Sequence, residues 1–136
     1  MFMQKRILVD TNILVDFAEG RGYARKFFEI VSEKCYEIYV LKDCCFEASR
    51  VTKKFDRIQL LMAELNKQDL YHLVGLTEEE KEYSRTLIGS CIEVLGYDLS
   101  PVDRRIITVA KFRKLAILSK DNDLVKIAKK EKIKII

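Results

Sequence analysis

Asp10, Glu47, Asp103, Asp121 and Asp123 are the side chains of this sequence best placed to do chemistry. Asp10 closes the apolar run Ile7-Leu8-Val9, and Thr11 and Asn12 follow before a second apolar run begins. That pattern predicts a buried strand ending at Val9 and a turn whose polar residues cap a helix. In an open parallel sheet, ligands and catalytic groups gather at the carboxyl edge of the strands. Glu47 falls in the first turns of the helix expected after a second strand. Asp121 and Asp123 follow a short strand, Leu115 to Leu118, so these acids are expected at the same edge. Asp103 instead opens a helix, on the face shared by Ile106, Ile107 and Ala110, an unusual place for a carboxylate unless something there needs it.

Each acid also has a purely structural reading. Asp10, Asp121 or Asp123 can serve as a helix N-cap, Asp103 can belong to a Ser-x-x-Asp capping box, and Glu47 can be a surface glutamate. Four acids converging on one cleft would repel each other unless a cation neutralises them. Hard, oxygen-seeking Mg²⁺ or Mn²⁺ suits carboxylate and water ligands without His or Cys. Such a metal activates water and stabilises charge on a phosphate during in-line displacement, the physical case for a metal-dependent phosphodiesterase.

The elements that must hold these acids alternate along the chain. After the first strand, apolar residues from Ile13 to Phe17 precede a break at Glu19-Gly20-Arg21-Gly22, and a helix is expected over Tyr23 to Cys35. Glu37 to Leu41 reads as a strand, with Asp43 as N-cap of a helix through Phe46, Val51 and Phe55, continuous or broken before Arg57. Leu70 to Leu76 reads as a third strand. Thr77 and Glu80 have the capping-box spacing, Gly96 fits a helix stop, and Ser100-Pro101 fits a helix start. The aspartates at 121 and 123 would cap a helix from Leu124 to Lys130, and Ile133 to Ile136 would close as an edge strand. This alternation predicts a single α/β domain over residues 1–136, three layers thick, with a mainly parallel sheet of about five strands.

The bulk composition narrows the function classes. A chain of 136 residues, 49% hydrophobic and 34% charged, suits one globular domain rather than a disordered chain. Met1 to Arg6 lacks the apolar core of a signal peptide, and no run approaches the ~20 apolar residues of a membrane span, so a cytoplasmic location is expected. Cys35, Cys44, Cys45 and Cys91 have no zinc-type spacing and read as reduced, mostly buried small hydrophobes. The single histidine, His72, has no nucleophile motif for company and reads as structural or superficial. Lys111 to Ile136 holds nine Lys or Arg against three acids, a net of +6. Such a basic quarter is compatible with a phosphate backbone as partner, and equally with a solvated helix face.

On these motifs the sequence resembles the PIN-domain ribonucleases, in particular the small VapC-like toxins of toxin–antitoxin pairs. The resemblance spans essentially the whole chain. Val9-Asp10-Thr11-Asn12-Ile13-Leu14 is similar to the family's opening motif, and Glu47 within Phe46-Glu47-Ala48 falls where its second acid does. Asp103 to Ala110 resembles the helix bearing the third acid, and Ser119-Lys120-Asp121-Asn122-Asp123-Leu124 the closing motif. The resemblance implies Mg²⁺- or Mn²⁺-dependent cleavage of RNA. It implies direct metal ligation by Asp10, Glu47 and Asp103, with Asp121 as the fourth acid, and Asp123 either assists through water or caps the helix. Asn12 and Ser119 would orient ligands or bind phosphate. Arg104 and Arg105 stand where small or apolar residues are more usual, and would either bind the RNA backbone or pair with the acids. An antitoxin partner and homodimerisation are implied in the same way.

Two other classes compete with a nuclease. A PIN-like module that binds RNA or protein without cutting is suggested by the paired arginines and the basic tail. A phosphotransferase using Asp10 as nucleophile would need an acid two residues on, where this chain has Asn12.

Overall fold

A computed structural model describes residues 5–136, so the chain start Met1 to Gln4, included in the signal-peptide reading, lies outside the described residues. The chain divides into two compact units, Met1–Val74 and Gly75–Ile136.

The first unit holds β1 (Arg6–Val9), α1 (Thr11–Ala18), α2 (Gly22–Lys34), β2 (Glu37–Leu41), α3 (Lys42–Val51), α4 (Phe55–Lys67) and β3 (Tyr71–Val74). Its strands are parallel, in the order β3-β2-β1, with Ile7 beside Ile38 and Val40 beside Leu73. Ile7, Leu8 and Val9 are all fully buried, so β1 is covered on both faces, the pattern expected of a strand inside a parallel sheet. Each such side chain contributes roughly 1.5–3 kcal/mol of burial. That anchorage is what gives Asp10, the next residue, a fixed position. Gly20 (φ 82°) makes the turn between α1 and α2 in a conformation that disfavours any residue with a Cβ. Buried Asp16 accepts from the Tyr23 hydroxyl and pairs with Arg21 at 3.0 Å, which locks the same turn.

One expectation fails in this unit. Asp43 does not cap α3, because the helix leaves β2 without a spacer: Leu41 takes the cap position with extended backbone and no side-chain cap bond. Asp43 lies in the first turn, where its charge favours the positive helix end. Of the two alternatives for the next stretch, the broken helix forms: the interruption between α3 and α4 falls before Arg57, at residues 52–54. Thr52 leaves the helix with extended dihedrals, and its hydroxyl donates to Glu19 at 2.7 Å while accepting from the Lys54 N–H at 3.1 Å. His72 is structural, as read: its ring stacks on Tyr39 at 4.5 Å and its Nε2 lies 3.1 Å from Glu37.

The second unit holds α5 (Glu78–Leu95), α6 (Pro101–Arg113), β4 (Ala116–Leu118) and α7 (Asn122–Lys130). The Thr77/Glu80 capping box forms with both reciprocal bonds, and Gly96 (φ 83°) stops α5. Glu80 also receives the Arg113 guanidinium, with Nη2 at 2.8 Å and Nε at 3.0 Å, and Arg113 donates to the Gly75 carbonyl at 2.8 Å. That bidentate, buried pair fastens the start of α5 to the end of α6. Ser100 caps α6 with Pro101 in its first turn, and Ile106, Ile107, Val109 and Ala110 form the expected buried stripe.

The final strand is not formed. Ile135 makes a single parallel bridge with Ile117, through Ile117 N–H to the Lys134 carbonyl and Ile136 N–H to the Ile117 carbonyl, both at 2.9 Å. β4 has only three residues, and Lys132 turns through φ 61° just before the bridge, so little ladder is available. The described residues therefore contain four strands rather than about five, with seven helices, in an α/β arrangement. None of those helices is long and apolar enough to cross a membrane.

Candidate functional site

Within the first unit, Asp10 caps α1. Its backbone is extended (φ −74°, ψ 157°), its Oδ1 accepts the Thr11 N–H at 2.7 Å, and the residue is 4% exposed. A carboxylate buried this deeply needs compensation, and the Thr11 N–H with the helix N-terminus contributes to it. Glu47, on the next crossover helix, is an exposed residue whose carboxyl is nevertheless pushed above its usual range. Local desolvation is the largest cause, followed by the charges of Asp10 and then Asp43. The Cys44 thiol is pushed up to about 12, chiefly by burial, with Asp10 and Glu47 adding to it. The structure thus brings Asp10 and Glu47 within one another's field, and adds Asp43.

Thr11 stands among these groups. Its hydroxyl lies near enough to lower both the Glu47 and Cys44 values, yet no contact satisfies hydrogen-bond geometry, so Oγ1 is a buried, orphaned polar atom. Two mutually repelling carboxylates beside an unsatisfied hydroxyl make a hard-oxygen donor set, and it fits a divalent cation such as Mg²⁺ or Mn²⁺. Among the described residues no group of three or more His, Cys, Asp or Glu stands ready to hold a metal. Mg²⁺ commonly takes only one or two carboxylates and keeps several waters, a mode for which Asp10 and Glu47 would be the protein ligands. Asn12 is exposed on the first turn of α1.

Within the second unit, the other candidates are held by helix starts. The Asp103 N–H donates to Ser100 Oγ at 3.1 Å, and the residue is half-buried beside its apolar stripe. Asp121 caps α7: its Oδ1 accepts from Asp123 N–H at 2.9 Å and Leu124 N–H at 3.3 Å, while its own N–H donates to Ser119 Oγ at 3.0 Å. The Asp123 carboxylate accepts the Tyr97 hydroxyl. That hydrogen bond, with some desolvation and the charges of Asp123 and Asp121, holds the phenol above its usual value, so it stays protonated and donates. Arg104 is buried, and its Nη1 donates to the Asp98 carboxylate and to the Leu99 carbonyl at 3.2 Å. It therefore pairs with an acid outside the candidate set.

Sequence reasoning missed Thr11, Asp43, Tyr97 and Asp98. Thr11 lies inside the opening motif between two more conspicuous residues, Asp10 and Asn12. Asp43 has the spacing of a cap. Nothing in the sequence spacing connects Tyr97 with Asp123.

The sequence profile of the PIN domain family matches residues 7–130. This chain belongs to the PIN domain family. Solved structures agree on the PIN fold at low identity. VapBC2 from Rickettsia felis, bound to a DNA fragment from its promoter, has TM-score 0.65 and 12% identity over 96% of this chain and 97% of that one. FitAcB from Neisseria gonorrhoeae has TM-score 0.59 and 15% identity over 96% of each chain. PAE2754 from Pyrobaculum aerophilum has TM-score 0.60 and 14% identity over 92% of this chain and 86% of that one. No curated protein matches the chain in sequence. At these identities the structural likeness carries the fold alone, and the chemistry of this PIN domain has to be argued from its own residues.

Proposed function

We propose that this PIN domain is a Mg²⁺- or Mn²⁺-dependent endoribonuclease that hydrolyses RNA phosphodiester bonds. The observation that carries the reading is the Asp10–Glu47 pair: local desolvation and then the buried Asp10 charge raise the Glu47 carboxyl, with the buried Thr11 hydroxyl, which makes no hydrogen bond, beside them. Separate acids at that strand end would be unfavourable without a cation to share.

In this reading Asp10 and Glu47 hold the cation, and Asp103, Asp121 and Asp123 take the parts that the family resemblance gives its later acids. When bound, the cation supplies Lewis acidity toward water and phosphate. The chain's own contribution is to fix the donors. Asp10 is buried at the end of β1 and tied by its cap bond to Thr11, which positions it before any ligand arrives. Asn12, exposed on the first turn of α1, would donate a hydrogen bond to a phosphate oxygen, and the Ser119 hydroxyl supports Asp121 by accepting its backbone N–H. Arg104 is engaged by Asp98, so the reading gives it a structural part.

A VapC-like toxin role, with a small antitoxin as inhibitor and a homodimer as the working form, extends the proposal. It is supported by family membership and by structural neighbours solved as VapBC2 and FitAB. A non-catalytic RNA- or protein-binding module is the second reading, favoured by one observation: the Asp121 oxygen that caps α7 already accepts two backbone N–H groups. RNA cleavage that requires Mn²⁺ or Mg²⁺, stops in EDTA and disappears in Asp10→Asn supports the nuclease. Stoichiometric RNA binding without cleavage under all of these conditions supports the module.

A further inference from the structure

Tyr97 sits in the connection between α5 and α6, and that connection is pinned at successive residues. Gly96 ends α5 in a left-handed turn. Asp98 accepts from the buried Arg104 guanidinium, the Leu99 carbonyl accepts from the same nitrogen at 3.2 Å, and Ser100 caps α6. A guanidinium from the first turn of α6 thus reaches back and holds the loop that precedes it. The loop carries Tyr97 with 53% of its surface open, but its hydroxyl is tied down on Asp123. Asp123 is constrained at its other end as well, since its N–H donates to Asp121 Oδ1 at 2.9 Å. Backbone and carboxylate of Asp123 are therefore both held, one by Asp121 and one by Tyr97. A ring this exposed adds little to the core, so the consequence of the contact is orientation rather than stability.

We propose that Tyr97 is a positioning residue: its hydroxyl fixes the Asp123 carboxylate, so that the Asp121–Asp123 pair is presented preorganised to a divalent cation. The inference rests on the metal-nuclease reading and deepens it. It also gives Arg104 a part, as the clamp of the loop that carries Tyr97. Partners that orient ligating carboxylates from behind matter measurably, and their removal typically costs 10–100-fold in metal affinity or activity.

The test uses the full chain as wild type, Tyr97→Phe, Asp123→Ala and the double variant, each checked by thermal melting. Mn²⁺ binding is measured by calorimetry, and RNA cleavage is resolved into kcat and KM. Tyr97→Phe keeps the ring and loses only the hydroxyl. The expected result is about tenfold weaker Mn²⁺ binding with unchanged Tm, a fall in kcat with KM for RNA unmoved, and no further loss when Tyr97→Phe is added to Asp123→Ala. Mn²⁺ binding by Tyr97→Phe as tight as wild type overturns the inference, and so does an equal loss in the Asp123→Ala background. Wild type that binds no Mn²⁺ and cuts no RNA overturns the nuclease reading and this inference with it, a failure visible before any substitution is made.

Discussion

Asp10 and Glu47, 37 residues apart in sequence, are brought close enough for the Asp10 charge to act on the Glu47 carboxyl. After desolvation, the buried Asp10 charge is the main reason the Glu47 carboxyl sits above its usual value. The fold thus holds a repulsive pair between the residue after β1 and the middle of α3, and desolvation with that repulsion gives Glu47 a shift opposite to that of Glu80.

The two glutamates predict opposite pH effects. Glu47 has a raised folded value, so the folded chain binds more protons around and above pH 4.5, and its contribution to stability falls as pH rises through that window. In metal-free buffer at pH 7, Glu47→Gln raises Tm, and the gain vanishes below pH 4. Glu80 has a lowered value, because Arg113 donates to it, so its contribution is full above 4.5 and is lost as pH falls through its depressed folded value. At pH 7 Glu80→Gln lowers stability by about 2–4 kcal/mol, since it leaves the Arg113 charge without its buried partner. Thermal melts of both variants from pH 3 to 8 check the two signs together.

The contacts of Arg104 with Asp98 and Leu99 predict that it acts as a clamp. Arg104→Met removes a buried guanidinium from Asp98 and Leu99, and is expected to cost about 2–4 kcal/mol in urea unfolding. A surface arginine that only contacts phosphate would leave unfolding within roughly 0.5 kcal/mol of wild type and lower RNA affinity instead.

Asp121 separates structure from chemistry by a choice of two substitutions. Asp121→Ala removes the α7 cap and is expected to cost about 1 kcal/mol, whereas Asp121→Asn keeps a good capping side chain and stability within a few tenths. If Asp121 acts on a cation, Asp121→Asn loses cleavage without losing stability. Activity that tracks stability across both variants assigns Asp121 to the cap alone.

The cysteines give a check on the core. Cys44 is fully buried with its thiol pushed up to about 12, and Cys91 is fully buried, whereas Cys35 is exposed at the left-handed end of α2. Iodoacetamide at pH 8 is expected to label Cys35 first and to leave Cys44 and Cys91 unmodified until the chain unfolds. Prompt modification of Cys44 in the folded protein would contradict the packing around Asp10.

Much of the fold was legible where local chemistry decides the outcome. The Glu37 to Leu41 strand, the Thr77/Glu80 capping box, the Gly96 stop and the Ser100-Pro101 start are all short-range signals, and each forms as read. What failed depends on distant residues. Asp43 looks like a cap in isolation, but β2 delivers Leu41 to the cap position directly. The strand expected at 133–136 has the right residues but meets a β4 of only three. Helix stops at Cys35 and Lys114 are left-handed without glycine or asparagine, so no residue type marks them. For the site, the sequence singled out the acids by their neighbours. It could not show that Tyr97 reaches Asp123 or that Arg104 turns to Asp98, because both contacts depend on how the turn after α5 folds back.

The most direct measurement is RNA cleavage by the purified chain with Mn²⁺, with Mg²⁺ and with EDTA, alongside Asp10→Asn prepared identically and shown by melting to be folded. The account predicts cleavage by the wild type with either metal, none in EDTA, and a loss on the order of 100-fold in Asp10→Asn, the scale expected when a metal-held charge stabilisation of several kcal/mol is removed. Cleavage by Asp10→Asn at the wild-type rate, or cleavage that persists in EDTA, would contradict it.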